Sequence, residues 1–348
     1  LGRWLWPPFA HQSLAVTGRV LEGGEARLDG ARALPLPPRG GQDGGGADEP
    51  TDHERPQAAR LGFPVHASDC TVAPVICTLG DLLLDVIVRA PGPTLAAGAD
   101  TQVETRLATG GQAANVASWV AELGAEARCV AKRGDDAAGQ LAAALLAQRE
   151  VELVGPVASG STGVVVAFVA ADGERTMATD RGVAVELRQD ELHPAWFDGC
   201  AWLCLSGYAL LAEPIAEAAL AAARLSRARD AQVAVDLSSW SAIRAYGAER
   251  FRANLDAVAP DVVFANEPEW EMVGGAYALA QTAVVKRGSR GVEVRTPDGV
   301  EQFEPIGAEV VDTTGAGDAL AAGFLVGGIE RGLEAAARCV GQLGAVPS

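Results

Sequence analysis

From about residue 72 onward the chain alternates short runs of apolar, often β-branched residues with alanine-rich stretches of helical character, a rhythm that few folds accept. Residues 75–79 predict a buried strand that ends at Gly80-Asp81. Residues 113–123 predict a helix, 127–132 the next strand, and 137–149 a second helix. Further strands are predicted near 163–170, 175–179, 202–206, 233–236, 262–265 and 283–286, mostly with helical segments between them. Neighbouring parallel strands must be joined by a crossover, usually a helix, so the pattern predicts a doubly wound α/β/α sandwich around a mainly parallel sheet. Residues 84–107 interrupt the rhythm, where Val86-Ile87-Val88 and Val103-Glu104-Thr105-Arg106-Leu107 flank a Pro/Gly-rich bend. These strands, within about 84–108, and those within 163–179 predict a small β-sheet that projects as a lid.

The first 71 residues read differently. Pro7-Pro8, Pro35, Pro37-Pro38 and the run Gly40-Gly41-Gln42-Asp43-Gly44-Gly45-Gly46 sit among residues with no sustained periodicity. That composition predicts a disordered extension over 1–71 and one domain over 72–348. No run of eighteen or more apolar residues is present, so no membrane association is expected. A net charge of −17 argues against nucleic acid and anionic lipid as partners. The six cysteines are scattered, with no CxxC pair, and predict reduced, mostly buried thiols of a cytoplasmic protein. Three of four histidines precede residue 70, which sets aside a histidine-based zinc site or a Ser-His-Asp triad in the main body.

The most informative chemistry lies in Val311-Asp312-Thr313-Thr314-Gly315-Ala316-Gly317-Asp318-Ala319-Leu320. It reads as a strand end, a glycine turn, and a helix that opens with an aspartate. Such a turn exposes N–H groups at the positive end of a helix dipole, where phosphate binds, and Asp318 would stand beside it. Read by itself, Asp318 has the alternative of an ordinary helix cap. The P-loop pattern GxxxxGK[ST] is absent, and Leu320 stands where a dinucleotide fingerprint needs its third small residue. Thr109-Gly110-Gly111-Gln112-Ala113-Ala114-Asn115 precedes a predicted helix. Asn266-Glu267-Pro268-Glu269 and Lys286-Arg287-Gly288-Ser289-Arg290-Gly291 each follow a predicted strand.

Taken in this order, these blocks resemble the PfkB/ribokinase family of carbohydrate kinases over residues 72–348. The resemblance implies a ribokinase-like fold, ATP and Mg²⁺ as cofactors, and phosphorylation of a hydroxyl on a small sugar or sugar acid. It implies Asp318 as catalytic base and the N–H groups of Gly315, Ala316 and Gly317 as anion hole. It further implies sugar contacts from Asp85, Gly110, Gly111 and Asn115, although Asn115 also reads as a helix cap. Asn266 and Glu269 match the family's N-x-x-E motif, Glu269 acting on Mg²⁺ through water; the alternative is a solvated acidic loop. Gly288 and Gly291 match the nucleotide-side G-x-x-G spacing, with Thr313 also on the nucleotide side. Lys286 and Arg287 read equally as phosphate contacts or as an exposed basic pair. Asp312, Thr314, Gly344 and Ser348 correspond to the monovalent-cation (K⁺) loop of some members, and the lid to a homodimer clasp.

Two departures bear on the acceptor. Ser206-Gly207-Tyr208 stands where ribose-specific relatives carry a glutamate, and Gln112 replaces a lysine of the ribose-type block. The first is more similar to fructokinase and ketodeoxygluconate-kinase members, and together they make ribokinase proper less expected than a broader sugar or sugar-acid kinase. Arg175 and Arg181 fall near the expected lid and substrate mouth; Arg181 reads either as a bidentate partner for an acidic sugar or as a salt-bridged surface residue. A nucleoside or vitamin kinase of the same fold, and a non-catalytic sugar-binding relative, are the alternatives.

Overall fold

The structure, a computed structural model, describes residues 75–89, 92, 98–170, 175–275 and 280–348. The extension expected over 1–71 lies outside the described residues. In chain order the elements are β1 (Val75–Leu79), β2 (Leu83–Arg89), β3 (Glu104–Gly110), α1 (Gln112–Glu122), β4 (Glu126–Val130), β5 (Arg133–Gly134), α2 (Ala137–Ala147), β6 (Val151–Val154), β7 (Val157–Ala158), β8 (Thr162–Val169) and β9 (Arg175–Gly182). They continue with β10 (Cys200–Ser206), α3 (Ile215–Arg227), β11 (Gln232–Asp236), α4 (Trp240–Tyr246), α5 (Ala248–Val258), β12 (Val262–Asn266), α6 (Glu267–Met272), β13 (Thr282–Lys286), β14 (Val292–Thr296), β15 (Gly299–Phe303), α7 (Ala316–Gly327) and α8 (Ile329–Val340).

Nine strands form the central sheet in the order β15-β14-β13-β12-β11-β10-β1-β4-β6. Seven run parallel, and the hairpin β14–β15 extends one edge in antiparallel fashion. Because successive side chains leave a strand on opposite faces, both faces are apolar and both are covered. Ile76, Cys204, Ala234, Phe264 and Val284 pack with α1, α2, α7 and α8. Cys77, Leu205, Val235, Val263 and Val285 pack with α3, α4, α5 and α6. The five described cysteines (Cys77, Cys129, Cys200, Cys204, Cys339) are free and buried, as composition predicted. Among the described residues, no helix is long and apolar enough to cross a membrane.

Strand order reverses between β1 and β10, and a doubly wound sheet opens a ligand crevice beyond its strand ends at such a point. The C-terminal ends of β1, β10, β11, β12 and β13 deliver Asp81, Ser206, Asp236, Asn266 and Lys286 to that edge. A second sheet, β3-β2-β8-β9, rises from the same edge as the predicted lid. It is anchored to the body by Asp136, which caps α2. Asp136 Oδ1 accepts from Gly139 N at 2.9 Å and Thr162 Oγ1 at 2.6 Å, while Oδ2 accepts from Thr162 N at 3.0 Å.

One sequence expectation is corrected. No strand leads into the glycine turn: residues 304–310 have no regular structure and Val311 is a bend. The N–H groups of Val311 and Asp312 both turn to the carbonyl of Val340, the last residue of α8, so the segment pairs with a helix end instead of the sheet. Val310 and Val311 are exposed, which explains why their apolar character misled.

Replacing Asp136 by Ala removes a helix cap and both bonds to the root of β8. The expected loss is about 2 kcal/mol of stability, read as a lower urea midpoint; an unchanged midpoint would refute the anchoring role.

Candidate active site

The glycine turn closes because Gly315 adopts φ 76°, a left-handed conformation, as the cap of α7. A Cβ at this position would meet Ala345 O at 2.5 Å, so glycine is required on two counts. Ala316 and Gly317 open the helix, and a helix cannot satisfy the N–H groups of its own first turn. Ala316 N makes one long bond, 3.4 Å, to Thr313 O. Asp318 is the third helical residue and does not cap; its Oδ2 accepts from Asn115 Nδ2 at 2.9 Å. Asn115 likewise lies inside the first turn of α1, whose cap is Gly111, and its Oδ1 has no partner among the described residues.

Asp318 does not stand alone. Lys286, at the end of β13, bonds Asp236 Oδ2 at 2.7 Å, and its Nζ lies 3.0 Å from where a Cβ on Gly317 would be. Asp236 is 1% exposed and Glu269 2% exposed. The Asp318 carboxyl is pushed up to about 7, by burial first and by the Asp236 charge second. Hydrogen bonds from Asn115 and Gln112 and the Lys286 charge oppose that rise without cancelling it. Burial also raises the Glu269 carboxyl, with Lys286 opposing. For Lys286 burial favours the neutral amine, but Asp236 and Glu269 outweigh it and hold the ammonium above its ordinary range. Lys286 is therefore no exposed basic group. Arg287 is equally engaged, paired with Glu267 and Glu293.

Asn266 and Glu269 form a reciprocal capping box rather than a solvated loop. Asn266 Oδ1 accepts from Glu269 N at 2.9 Å, while Glu269 accepts from Asn266 N and Nδ2, both at 2.8 Å. Gly288 and Gly291 flank one 3₁₀ turn with φ of 58° and 78°. Gly291 also packs against the Phe303 carbonyl, which a Cβ would approach to 2.0 Å, whereas Gly288 borders open space.

At the base of the lid, Asp85 on β2 faces Gly110 on β3. A Cβ on Gly110 would fall 1.7 Å from Asp85 Oδ1, so the glycine makes room for the carboxylate. That Oδ1 is buried without a partner among the described residues, and burial pushes the carboxyl up to about 6. Gly111, at φ 88°, lets α1 start against the Asp81 carbonyl. Arg181 is already paired within the chain: Nε and Nη2 form a fork on Asp81 at 2.6 and 2.8 Å, and Nη2 also reaches Tyr208 O at 3.1 Å. Of its two sequence readings the structure takes the salt bridge, although the buried partner makes this more than a surface pair.

Asp312 Oδ1 accepts from Thr314 N at 2.9 Å and Thr314 Oγ1 at 2.5 Å, and its Oδ2 accepts from Gly344 N at 2.9 Å. Thr313 is exposed and its Oγ1 accepts from Arg175. Ser348 is exposed, and its N–H bonds Gln342 Oε1 at 3.2 Å. Asp312, Thr314 and Gly344 thus come together, and the links recorded for Ser348 lead elsewhere.

Three participants escaped sequence reasoning. Asp236 and Asp81 end apolar strands, and no local pattern marks either as functional. Gln112 was noticed only as a replacement. Its Oε1 accepts from Ser206 Oγ and Ser238 Oγ, both at 2.6 Å, which leaves the amide hydrogens to face Asp318.

The oxygen-rich group Asp236, Glu269 and Asp318 carries more negative than positive charge around Lys286. Hard divalent cations favour such oxygen donors, often through water. Among the described residues, however, no three such side chains gather closely enough to hold a metal ion by themselves, so Mg²⁺ would be met through its waters and the nucleotide phosphates.

Comparison with known proteins agrees with this fold. The pfkB family carbohydrate kinase profile matches residues 74–346. An ATP-dependent ribose-1-phosphate kinase from Halopiger xanaduensis is 32% identical over 279 residues, spanning 76% of this chain and 90% of that protein. The crystal structure of adenosine kinase from Sinorhizobium meliloti is similar with a TM-score of 0.70 and 26% identity, covering 79% of this chain and 96% of that one. A fructokinase with bound ATP from Xylella fastidiosa shares the fold at a TM-score of 0.65 and 22% identity, covering 78% of this chain and 93% of its own.

Replacing Lys286 by Met strands the Asp236 charge. Stability should fall by about 3 kcal/mol at neutral pH, seen in denaturant unfolding; a variant as stable as the parent would refute the dependence of Asp236 on this ammonium.

Proposed function

The chain belongs to the pfkB family of carbohydrate kinases, and we propose that it transfers the γ-phosphoryl group of ATP directly to a hydroxyl of a small sugar, with Asp318 as base. The observation that carries this reading is the Asp318 carboxyl, poised near 7 beside the open first turn of α7. A base works best when its proton affinity lies near the working pH, because it is then both ionised and able to hold the proton.

The steps follow from the residues. An acceptor hydroxyl donates to the Asp318 carboxylate and gives up its proton as its oxygen bonds to the γ-phosphorus. The bond from that phosphorus to the bridging oxygen breaks in line, and the electron pair leaves on ADP. The N–H groups of Gly315, Ala316 and Gly317 receive the oxygens of the transferring group, which carry the charge of the transition state. Asn115 and Gln112 hold Asp318 in place through their amide hydrogens. Glu269 would act on Mg²⁺ through its waters, and the ion would supply charge neutralisation at the nucleotide phosphates. Asn266 orients Glu269, and the turn at Gly288 and Gly291, with Thr313, borders the nucleotide.

The unpartnered Asp85 Oδ1 and Asn115 Oδ1 are acceptors for sugar hydroxyls, with Gly110 and Gly111 letting backbone and ring approach. Asp81 already neutralises Arg181, so the cleft floor favours a neutral polyhydroxyl portion of the acceptor over a carboxylate. A nucleoside acceptor is the second reading, because the adenosine kinase likeness is accompanied by sugar-hydroxyl acceptors that a ribosyl group could use. ADP release should be screened with fructose, ribose, ribose 1-phosphate, ketodeoxygluconate and adenosine. ATP binding without turnover of any of them would count against the kinase assignment for a small sugar.

The pH dependence has a defined sign. Asp318 ionises near 7 when folded and near its ordinary 3.8 when unfolded, so between those values the folded chain binds more protons. Its contribution to stability is then full below about pH 4 and lost as pH rises through about 7. Activity moves oppositely, with kcat/KM rising through pH 7 as the base ionises. Asp318→Asn should remove that limb, lower turnover at least about a thousandfold and retain ATP affinity; near-normal turnover would sink the base assignment.

A further inference from the structure

Lid and body also meet at an ion pair for which the proposed reaction has no use. Arg175 opens β9, and its guanidinium reaches the segment just before the glycine turn. Nη1 lies 3.3 Å from Asp312 Oδ1, and Nη2 donates to Thr313 Oγ1 at 3.2 Å. The pair is largely withdrawn from water, the Asp312 side chain being 4% exposed and that of Arg175 20%. Asp312 is the knot of this region, since it also gathers Thr314 and Gly344. Despite its burial the carboxyl is held below its ordinary range by Thr314, Gly344 and the Arg175 charge. One carboxylate thereby ties together the turn, the C-terminal segment and the lid.

These are the residues at which family resemblance implied a monovalent cation, and they do not fit one. Both Asp312 oxygens face N–H or O–H donors, whereas a bound cation needs oxygen lone pairs turned toward it. The links recorded for Ser348 lead away, and a guanidinium already stands beside the carboxylate.

We propose that Arg175 is a positioning residue that supplies, from the lid, the fixed positive charge at Asp312 in place of a bound monovalent cation. The glycine turn is then fully braced only when the lid is seated, and lid placement is coupled to the N–H groups that meet phosphate. A carboxylate this buried is costly unless paired, so loss of the guanidinium releases the knot. The importance of the turn to turnover rests on the kinase reading above, but the source of the charge at Asp312 does not.

The test compares the parent chain, Arg175→Ala and Arg175→Lys in chloride salts of potassium, sodium and tetramethylammonium at equal ionic strength. Unfolding midpoint and turnover are both measured. The parent should give the same midpoint and rate in all three salts. Arg175→Ala should lose about tenfold or more in kcat/KM in every salt, and recover in part with added guanidinium. Arg175→Lys, which keeps the charge, should lose less. A potassium-specific rise in the parent's midpoint or rate would overturn the proposal, as would a folded Arg175→Ala that turns over like the parent in every salt. If Arg175→Ala does not fold, the parent's midpoints across the salts still decide. Those midpoints require no turnover, so a failed base assignment and a failed Arg175 assignment are distinguishable.

Discussion

One ammonium among three carboxylates sets the electrostatics of the candidate site. Lys286 bonds Asp236 directly and lowers the proton affinity of Glu269 and Asp318, yet it cannot neutralise all three. Burial raises both remaining carboxyls, and the Asp236 charge adds to the rise. An ordinary aspartate would be ionised at neutral pH but would hold a proton poorly. Burial, with the Asp236 charge second, brings Asp318 into the range that the proposed base needs at neutral pH. Exclusion of water and a shortage of positive charge thus act in the same direction on the carboxyl that the proposed chemistry uses.

That cluster was only half legible in the sequence. Asp318 announces itself because a glycine turn and a helix start surround it, and both are local patterns. Asp236 ends the run Val233-Ala234-Val235 and looks like any strand terminus; only the register that sets β11 beside β10 and β12 gives it meaning. Lys286 next to Arg287 reads equally as a basic surface pair, because the sequence does not reveal that the last residue of β13 meets the buried Asp236 of β11. The hairpin β14–β15 was available and went unread: Val292, Val294 and the turn Pro297-Asp298-Gly299 carry period-two and turn signals. The parallel strands were readable for the converse reason, since burial on both faces demands continuous apolar runs. The strand expected before the glycine turn failed because Val310 and Val311 are apolar but exposed, a state that composition cannot distinguish from burial.

Glycine placement connects the lid to this electrostatic centre. Gly110 yields space to Asp85, Gly111 lets α1 begin beside Asp81, and Gly315 admits the C-terminal segment at Ala345. Trp119 of α1 donates to that same Ala345 carbonyl at 2.8 Å, and Val346 packs with Ile87, Ala108 and Val169 of the lid. The C-terminal segment is thus wedged between the lid sheet, α1 and the glycine turn. Displacement of the lid would disturb this wedge before it reached Asp318, which gives the Arg175–Asp312 pair a mechanical setting as well as an electrostatic one.

A chain of net charge −17 and a polyphosphate ligand repel each other at long range, so any productive affinity must be local. Screening favours this arrangement: at physiological salt the field of a surface charge decays over about 8 Å. The groups close to the proposed phosphate position include the helix-start N–H groups of α7 and Lys286, and Mg²⁺ would reduce the ligand's own charge. None of these contributes a broad basic surface. The acidity of the whole molecule and the anion affinity of one turn are therefore compatible, because the decisive dipoles and the ammonium lie inside the screening length.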